Sequence, residues 1–129
     1  MNLEKFTERS RGVIQNAQAI AMREDHQRFT PEHLLKTMLD DEEGLAANLI
    51  NAAAGNPQRV LQDVEAALGK MPKVTGDAQV YLDGQTGKVL AEAQKLAEKA
   101  GDSFVPIERM LTALCVVKSD AQKALNEGG

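Results

Sequence analysis

Apolar residues in the first part of the chain recur at the spacing of one face of an α-helix. They form a stripe of Phe6, Val13, Ile14, Ala17, Ile20 and Ala21. The hydroxyl of Thr7 can cap the backbone N–H groups of the residues that follow it. The pattern therefore predicts an amphipathic helix that begins near Thr7, ends around Asp25 and packs its apolar face against a core.

Three further helices are predicted before residue 70. A capping residue followed by proline starts two of them, at residues 30–31 and 56–57. Glu32 then lies in the first turn, where its charge compensates the positive end of the helix dipole. Gly44 opens the helix between these two, and Gly69 ends the last one.

The second half of the chain shows the same succession of signals. Residues 71–82 lack a helical period and are predicted to connect two halves. Asp83 caps a fifth helix, which Gly101 ends. Pro106 begins a sixth helix, and one of residues 119 and 120 caps a short seventh helix.

The chain contains an internal repeat. Residues 13–39 align with residues 89–115 without a gap when shifted by 76 positions, and apolar positions match in phase. The identical pairs are Val13/Val89, Ala17/Ala93, Gln18/Gln94, Ala21/Ala97, Glu32/Glu108 and Leu35/Leu111. We therefore predict an all-α domain over residues 1–129, made of two pseudo-twofold-related four-helix repeats. Repeat 1 covers about residues 6–70, and repeat 2 covers about residues 83–129. The counterpart of the fourth helix would begin near position 132, so we expect repeat 2 to be incomplete and its eighth helix truncated.

Composition narrows the class of protein. The chain has 129 residues, 43% of them apolar and 26% charged, which is ordinary for one globular domain. A net charge of −4 without a basic stripe argues against nucleic acid as a partner. The sequence has no apolar run long enough to span a membrane and no secretory signal, so neither a membrane nor export is expected. A single cysteine fits a reducing cytoplasm.

Candidate chemistry is sparse. Residues 84–88 (GQTGK) look like the tail of a phosphate-binding loop, but the first glycine and the final Ser or Thr of that loop are absent. His26 and His33 are seven positions apart with no cysteine nearby, and we interpret them as surface or capping residues rather than metal ligands. Cys115 stands in an apolar run and is predicted to be a core residue. We expect no catalytic site, metal or cofactor in this chain, which leaves a binding role.

The repeat order and three motifs resemble a known family. The motifs are EKFTERSRGVIQNAQ, RFTPEHLLKTML and GDSFVPIERML. Together with the connector they resemble the Clp N-terminal domain, the double four-helix module at the front of Clp/Hsp100 ATPases. The connector is similar to that of the ClpB branch, the disaggregases. The resemblance implies a domain that engages unfolded or aggregated polypeptide and passes it to a hexameric ATPase ring. ATP and Mg would bind the parent's ATPase modules, and an Hsp70 system would act through other domains.

The resemblance also implies site residues. Three polar positions tied to client binding in the family fall on Thr7, Asp102 and Glu108. From residue chemistry alone they are also a natural helix cap, a solvated loop acid and a first-turn acid, so both interpretations stay open. The family's apolar groove falls on Leu90 and Leu96, which also match core positions of repeat 1.

Two observations leave alternative functions open: the sequence departs from the family pattern, and it resembles related branches of the family. Glu92 and Arg109 stand where disaggregases usually have apolar residues, which would make the groove more polar. In the protease-partner branches ClpC and ClpA, acids at positions like Glu32 and Glu108 form two symmetric sites for adaptor proteins. An adaptor-binding domain with a second site at Glu32 is therefore the first alternative, and a free-standing helical regulator is the second.

Overall fold

The computed structural model describes residues 3–41, 43–74 and 80–127. Within these residues it has seven helices and two strands of two residues each. The helices are α1 (Glu8–Arg23), α2 (Pro31–Leu39), α3 (Leu45–Ala52), α4 (Pro57–Gly69), α5 (Gly84–Lys99), α6 (Ile107–Val116) and α7 (Asp120–Glu127). The strands are β1 (Arg28–Phe29) and β2 (Tyr81–Leu82). The predicted all-α class and the order of seven helices are confirmed.

The capping side chains act where the sequence predicts them. Each accepts a hydrogen bond from a backbone N–H of the following turn, at 3.0–3.3 Å, and they are Thr7, Asn56, Asp83 and Ser119. The end of α5 differs slightly, because the helix stops at Lys99 and Gly101 follows in the turn with φ at 80°. Asp25, which stands 76 positions before Gly101, also has a positive φ, at 59°. The turn after the first helix of each repeat therefore has a residue in the left-handed conformation at the equivalent position.

One hydrophobic core includes side chains of both repeats. Most apolar positions that match in the two copies are buried in both, as with Leu34 and Met110 or Met38 and Leu114. The helix α2 packs against α1 and α4, and α6 packs against α5 and α7. The apolar phase shared by the two copies is thus the pattern that builds the core.

Each repeat extends its N-terminal segment onto the first interhelical turn of the other repeat. Phe6 forms a parallel bridge with Val105, and β2 runs parallel to β1. The backbone N–H of Thr7 donates to the Val105 carbonyl at 3.1 Å, and that of Asp83 donates to the Phe29 carbonyl at 3.1 Å. The contacts are exchanged between repeats, which is the relation that a twofold axis produces.

The helix α4 lacks a counterpart in repeat 2 within the part of the chain that the structure describes. An apolar groove of about 280 Å³ lies open there between α3, α6 and α7. Its lining includes Leu49, Leu111, Cys115 and Leu125. Cys115 is exposed, so the prediction of a core cysteine is wrong. Its equivalent, Leu39, is partly buried against the core and lines a cavity together with the first turn of α4.

Candidate functional site

The turn between α5 and α6 brings the predicted polar residues to one place. Thr7 lies against this turn through its N–H bond to Val105, which stands midway in sequence between Asp102 and Glu108. The Ser10 hydroxyl donates to the same Val105 carbonyl at 2.8 Å and accepts from the Thr7 hydroxyl at 2.9 Å. Thr7 is therefore held by its cap and by this bridge, with its side chain half-buried.

Asp102 and Arg109 form an ion pair across the turn. The Arg109 Nε donates to Asp102 Oδ2 at 2.9 Å, and both side chains are about one-third exposed. This hydrogen bond is the main reason why the pKa of Arg109 is raised. The departure of Arg109 from the family pattern thus has a local partner, because its guanidinium neutralises the predicted site acid.

Glu108 and Phe104 face solvent beside this pair. Glu108 is exposed in the first turn of α6, and Phe104 is 53% exposed at the tip of the turn. Sequence reasoning missed Phe104 because an aromatic in an apolar motif is usually core. A sequence signal existed: Phe104 corresponds by the 76-residue shift to Arg28, a charged residue. We name the surface formed by Thr7, Asp102, Phe104 and Glu108 the α5–α6 rim.

The two predicted groove leucines lie deeper than expected. Leu90 is only 6% exposed and belongs to the core, so it offers little surface to an open groove. The physical reason is its helical phase, since Leu90 corresponds to the fully buried Ile14. Leu96 is partly buried and packs against the core, and Glu92 is also partly buried. The apolar surface available at this end of α5 is therefore limited.

The surface of repeat 1 that is equivalent to the α5–α6 rim has an ion-paired arginine and a buried acid. Arg28, at the position of Phe104, donates to Asp83 Oδ1 at 3.0 Å. Glu32, at the position of Glu108, is 7% exposed. The pseudo-twofold axis therefore does not produce two equal sites, and Glu32 presents almost no surface to a partner.

A histidine pair in repeat 1 takes the place of the Asp102–Arg109 pair. His26 Nδ1 and His33 Nε2 are 2.8 Å apart, and both rings are buried. The Thr30 N–H donates to His33 Nδ1 at 3.0 Å, so the neutral His33 ring donates from Nε2 to His26. His33 therefore has the capping role that was one of the two expectations, whereas neither histidine lies on the surface.

Burial explains the electrostatics of this pair. It lowers the pKa of His33 to about 4, with smaller contributions from His26 and Arg28. Burial is also the largest cause of the lowered pKa of His26. The connector lies next to the pair. The backbone of His26 forms an antiparallel β-bridge with Lys73, and the Val74 N–H donates to the Asp25 carbonyl at 2.8 Å.

The other candidate chemistry is accounted for by local structure. Residues 84–88 form the first turns of α5, so they are not a loop that could surround a phosphate. No cluster of three or more metal-ligating side chains occurs among the described residues. In the same ranges no helix is both long and apolar enough to cross a membrane.

Comparison with known proteins gives consistent matches. The model of the family "Clp repeat (R) N-terminal domain" matches residues 5–128. The chaperone protein ClpB of Rhodopseudomonas palustris is 56% identical over 132 residues, which is 100% of this chain and 15% of that protein. ClpB of Mesorhizobium japonicum is 56% identical over 120 residues, or 92% of this chain and 14% of that protein. The chain thus spans about one-seventh of the length of these relatives.

Solved structures share the fold. The Hsp104 N-terminal domain from Candida albicans superimposes with a TM-score of 0.84 at 24% identity, covering 98% of this chain and 83% of that one. The N-terminal domain of the ClpV1 ATPase from E. coli gives a TM-score of 0.81 at 20% identity, covering 95% and 77%. At these identities the likeness concerns the fold alone.

Proposed function

Because the chain belongs to the Clp repeat N-terminal domain family, we propose that it engages unfolded or aggregated polypeptide for a ClpB-type disaggregase. The family's domain is non-catalytic, so binding is the activity to be explained. Client segments would dock on the α5–α6 rim. What distinguishes an unfolded client from a folded protein is its exposed apolar surface.

The observation that carries this proposal is the exposed Phe104 on a fixed turn. Its neighbour Val105 is held by three hydrogen bonds, from the Thr7 N–H, from the Ser10 hydroxyl and to the Lys5 carbonyl. An aromatic side chain on a rigid backbone buries apolar area in a complex at little cost in conformational entropy. Thr7 and Glu108 supply polar groups beside it that can bind client backbone N–H groups.

The difference between the two repeats supports a single site for each domain. The equivalents of Phe104 and Glu108 are the ion-paired Arg28 and the buried Glu32. This asymmetry favours client binding over the adaptor alternative, which needs both Glu32 and Glu108 at the surface. The free-standing regulator has no observation in its favour beyond the lack of catalytic residues predicted from sequence.

The parent protein completes the proposal. We infer that ATP and Mg act in its ATPase modules, that these assemble as a homohexamer, and that an Hsp70 system acts with other domains. A small rim with a single exposed aromatic ring should bind weakly. Six copies on one ring would raise the effective concentration of sites and compensate for the weak affinity of each.

An NMR titration with a permanently unfolded chain, such as reduced and carboxymethylated α-lactalbumin, tests the site. Phe104→Ser should weaken binding about fivefold to tenfold, because roughly 1 kcal/mol is lost with the apolar area of a half-exposed ring. Tyr81→Ser is the matched control, since Tyr81 is 52% exposed and lies in β2, which pairs with β1 in the interhelical turn of repeat 1. Thr7→Ala and Glu108→Ala should also weaken binding while the fold is retained.

The outcomes separate the proposals. Equal effects of the two aromatic substitutions, or none, would contradict a site at the rim. Binding of a folded adaptor protein in place of the unfolded chain would favour the first alternative.

A further inference from the structure

Glu32 and Glu108 are equivalent acids, but only Glu108 faces solvent. The Glu32 side chain is buried, and its Oε2 has no hydrogen-bond partner in the structure. A carboxylate oxygen that is shut off from water without a partner costs free energy, and a neutral carboxyl costs less than an ionised one. The burial of Glu32 therefore favours its protonated form.

The surroundings of Glu32 come from three elements. Asp120 begins α7 and Asp83 caps α5, and both negative charges oppose ionisation of Glu32. Arg28 of β1 is engaged with Asp83. The N–H groups of Glu32 itself and of Ala121 favour the charged form, but burial is the largest effect and raises the pKa of Glu32 to about 7.

We propose that Glu32 is a protonation-dependent latch between the two repeats. The neutral carboxyl holds the start of α7 against α2. When the proton leaves to solvent, the carboxylate moves out into water. The equivalent acid of the other repeat, Glu108, is exposed.

The consequence is a pH-dependent opening of α7. This helix contacts α2, α4 and α6, and its inner face holds the buried residues Ala121 and Ala124. The closed state binds the proton more tightly than the open state, in which Glu32 has its ordinary pKa of 4.5. Opening therefore becomes more favourable as the pH rises from about 4.5 to about 7.

Amide hydrogen exchange of α7 measures this opening. After correction for the intrinsic pH dependence of exchange, the protection factors of α7 should fall about 40-fold between pH 5 and pH 7, which is the ratio given by these two pKa values. Glu32→Gln keeps the shape of the side chain and stays neutral, so its α7 protection should be constant over this range. Glu108→Gln, the equivalent change at an exposed acid, should behave as the unsubstituted protein.

A second measurement is independent of any variant. The ¹³C shift of the Glu32 carboxyl should titrate near pH 7. The latch is disproved if Glu32 titrates near its ordinary value, or if α7 protection in the unsubstituted protein does not change with pH. An equal pH dependence in Glu32→Gln would also reject it. Client binding is not measured in either experiment, so this proposal and the proposed function can fail separately.

Discussion

Acidification should destabilise the folded protein through His33, and His33→Gln should remove this effect. The His33 ring is 0% exposed, and burial lowers its pKa from 6.5 to about 4. The unfolded chain therefore binds a proton in a pH range in which the folded protein does not. The stability that the neutral ring allows is fully present above pH 6.5 and is lost as the pH falls toward 4.

The magnitude follows from the two pKa values. At about 1.4 kcal/mol for each pH unit, the interval from 6.5 to about 4 corresponds to about 3 kcal/mol of unfolding free energy. This is a large part of the 5–15 kcal/mol by which domains of this size are commonly stable. Urea unfolding at a series of pH values measures it, because the midpoint shifts while the slope stays fixed by the surface exposed.

The comparison with His33→Gln isolates the histidine from other titrating groups. A glutamine at this position can still accept the Thr30 N–H, so the capping of α2 is kept. The free-energy difference between the two proteins should change by about 3 kcal/mol between pH 7 and pH 4. Arg109→Gln, at the equivalent position of repeat 2, should show a much smaller change over this range, because an arginine does not titrate there. Parallel stability curves for the His33 variant and the unsubstituted protein would refute the reasoning.

Glu32→Gln should stabilise the protein by up to about 3 kcal/mol at pH 8 and leave it unchanged near pH 4.5, because the raised pKa of Glu32 gives stability that is lost as the pH rises through 7; urea midpoints at both pH values check this. Thr7→Ala should cost about 1 kcal/mol through loss of the α1 cap and lower Tm by a few degrees in a calorimetric scan. Leu114→Ala should cost 2–5 kcal/mol, since the side chain is fully buried, and a loss well under 1 kcal/mol would contradict its place in the core. Cys115 should react with Ellman's reagent in the native state, slowly at pH 7 and faster at pH 9, because its side chain is at the surface but partial burial by its neighbours raises the pKa of the thiol.

Local features of the fold could be predicted from the sequence. Helix starts at Thr7, Asn56 and Asp83 depend on a side chain and the backbone within a few residues of it, so short-range chemistry determines them. The internal repeat could also be predicted from the two copies of the apolar pattern, because helical phase determines which side chains reach the core.

Features that depend on distant segments could not be predicted in this way. The bridge between Phe6 and Val105 joins backbone groups that no periodicity relates. Cys115 matched a core position by phase, but its exposure depends on whether another helix covers it. Glu32 has the sequence signature of a first-turn acid, yet contact with α7 buries it.

The candidate site was predicted in part. The polar members Thr7, Asp102 and Glu108 come together at one turn, while their role in binding stays a prediction. Phe104 was missed, because its exposure follows from the position of the turn in three dimensions. The same sequence comparison that revealed the repeat contained the clue, since Arg28 occupies the equivalent position.

The exchanged terminal segments have a consequence for biosynthesis. Because the strand before α5 completes the turn of repeat 1, and the segment before α1 completes the turn of repeat 2, neither half alone pairs the backbone polar groups of its interhelical turn. A nascent chain that ends before residue 80 lacks a partner for β1. The bridge between Phe6 and Val105 cannot form until Val105 has left the ribosome. Closing that long loop costs conformational entropy before the contacts that stabilise the closed form are made. The domain should therefore fold as one cooperative unit after translation of α6.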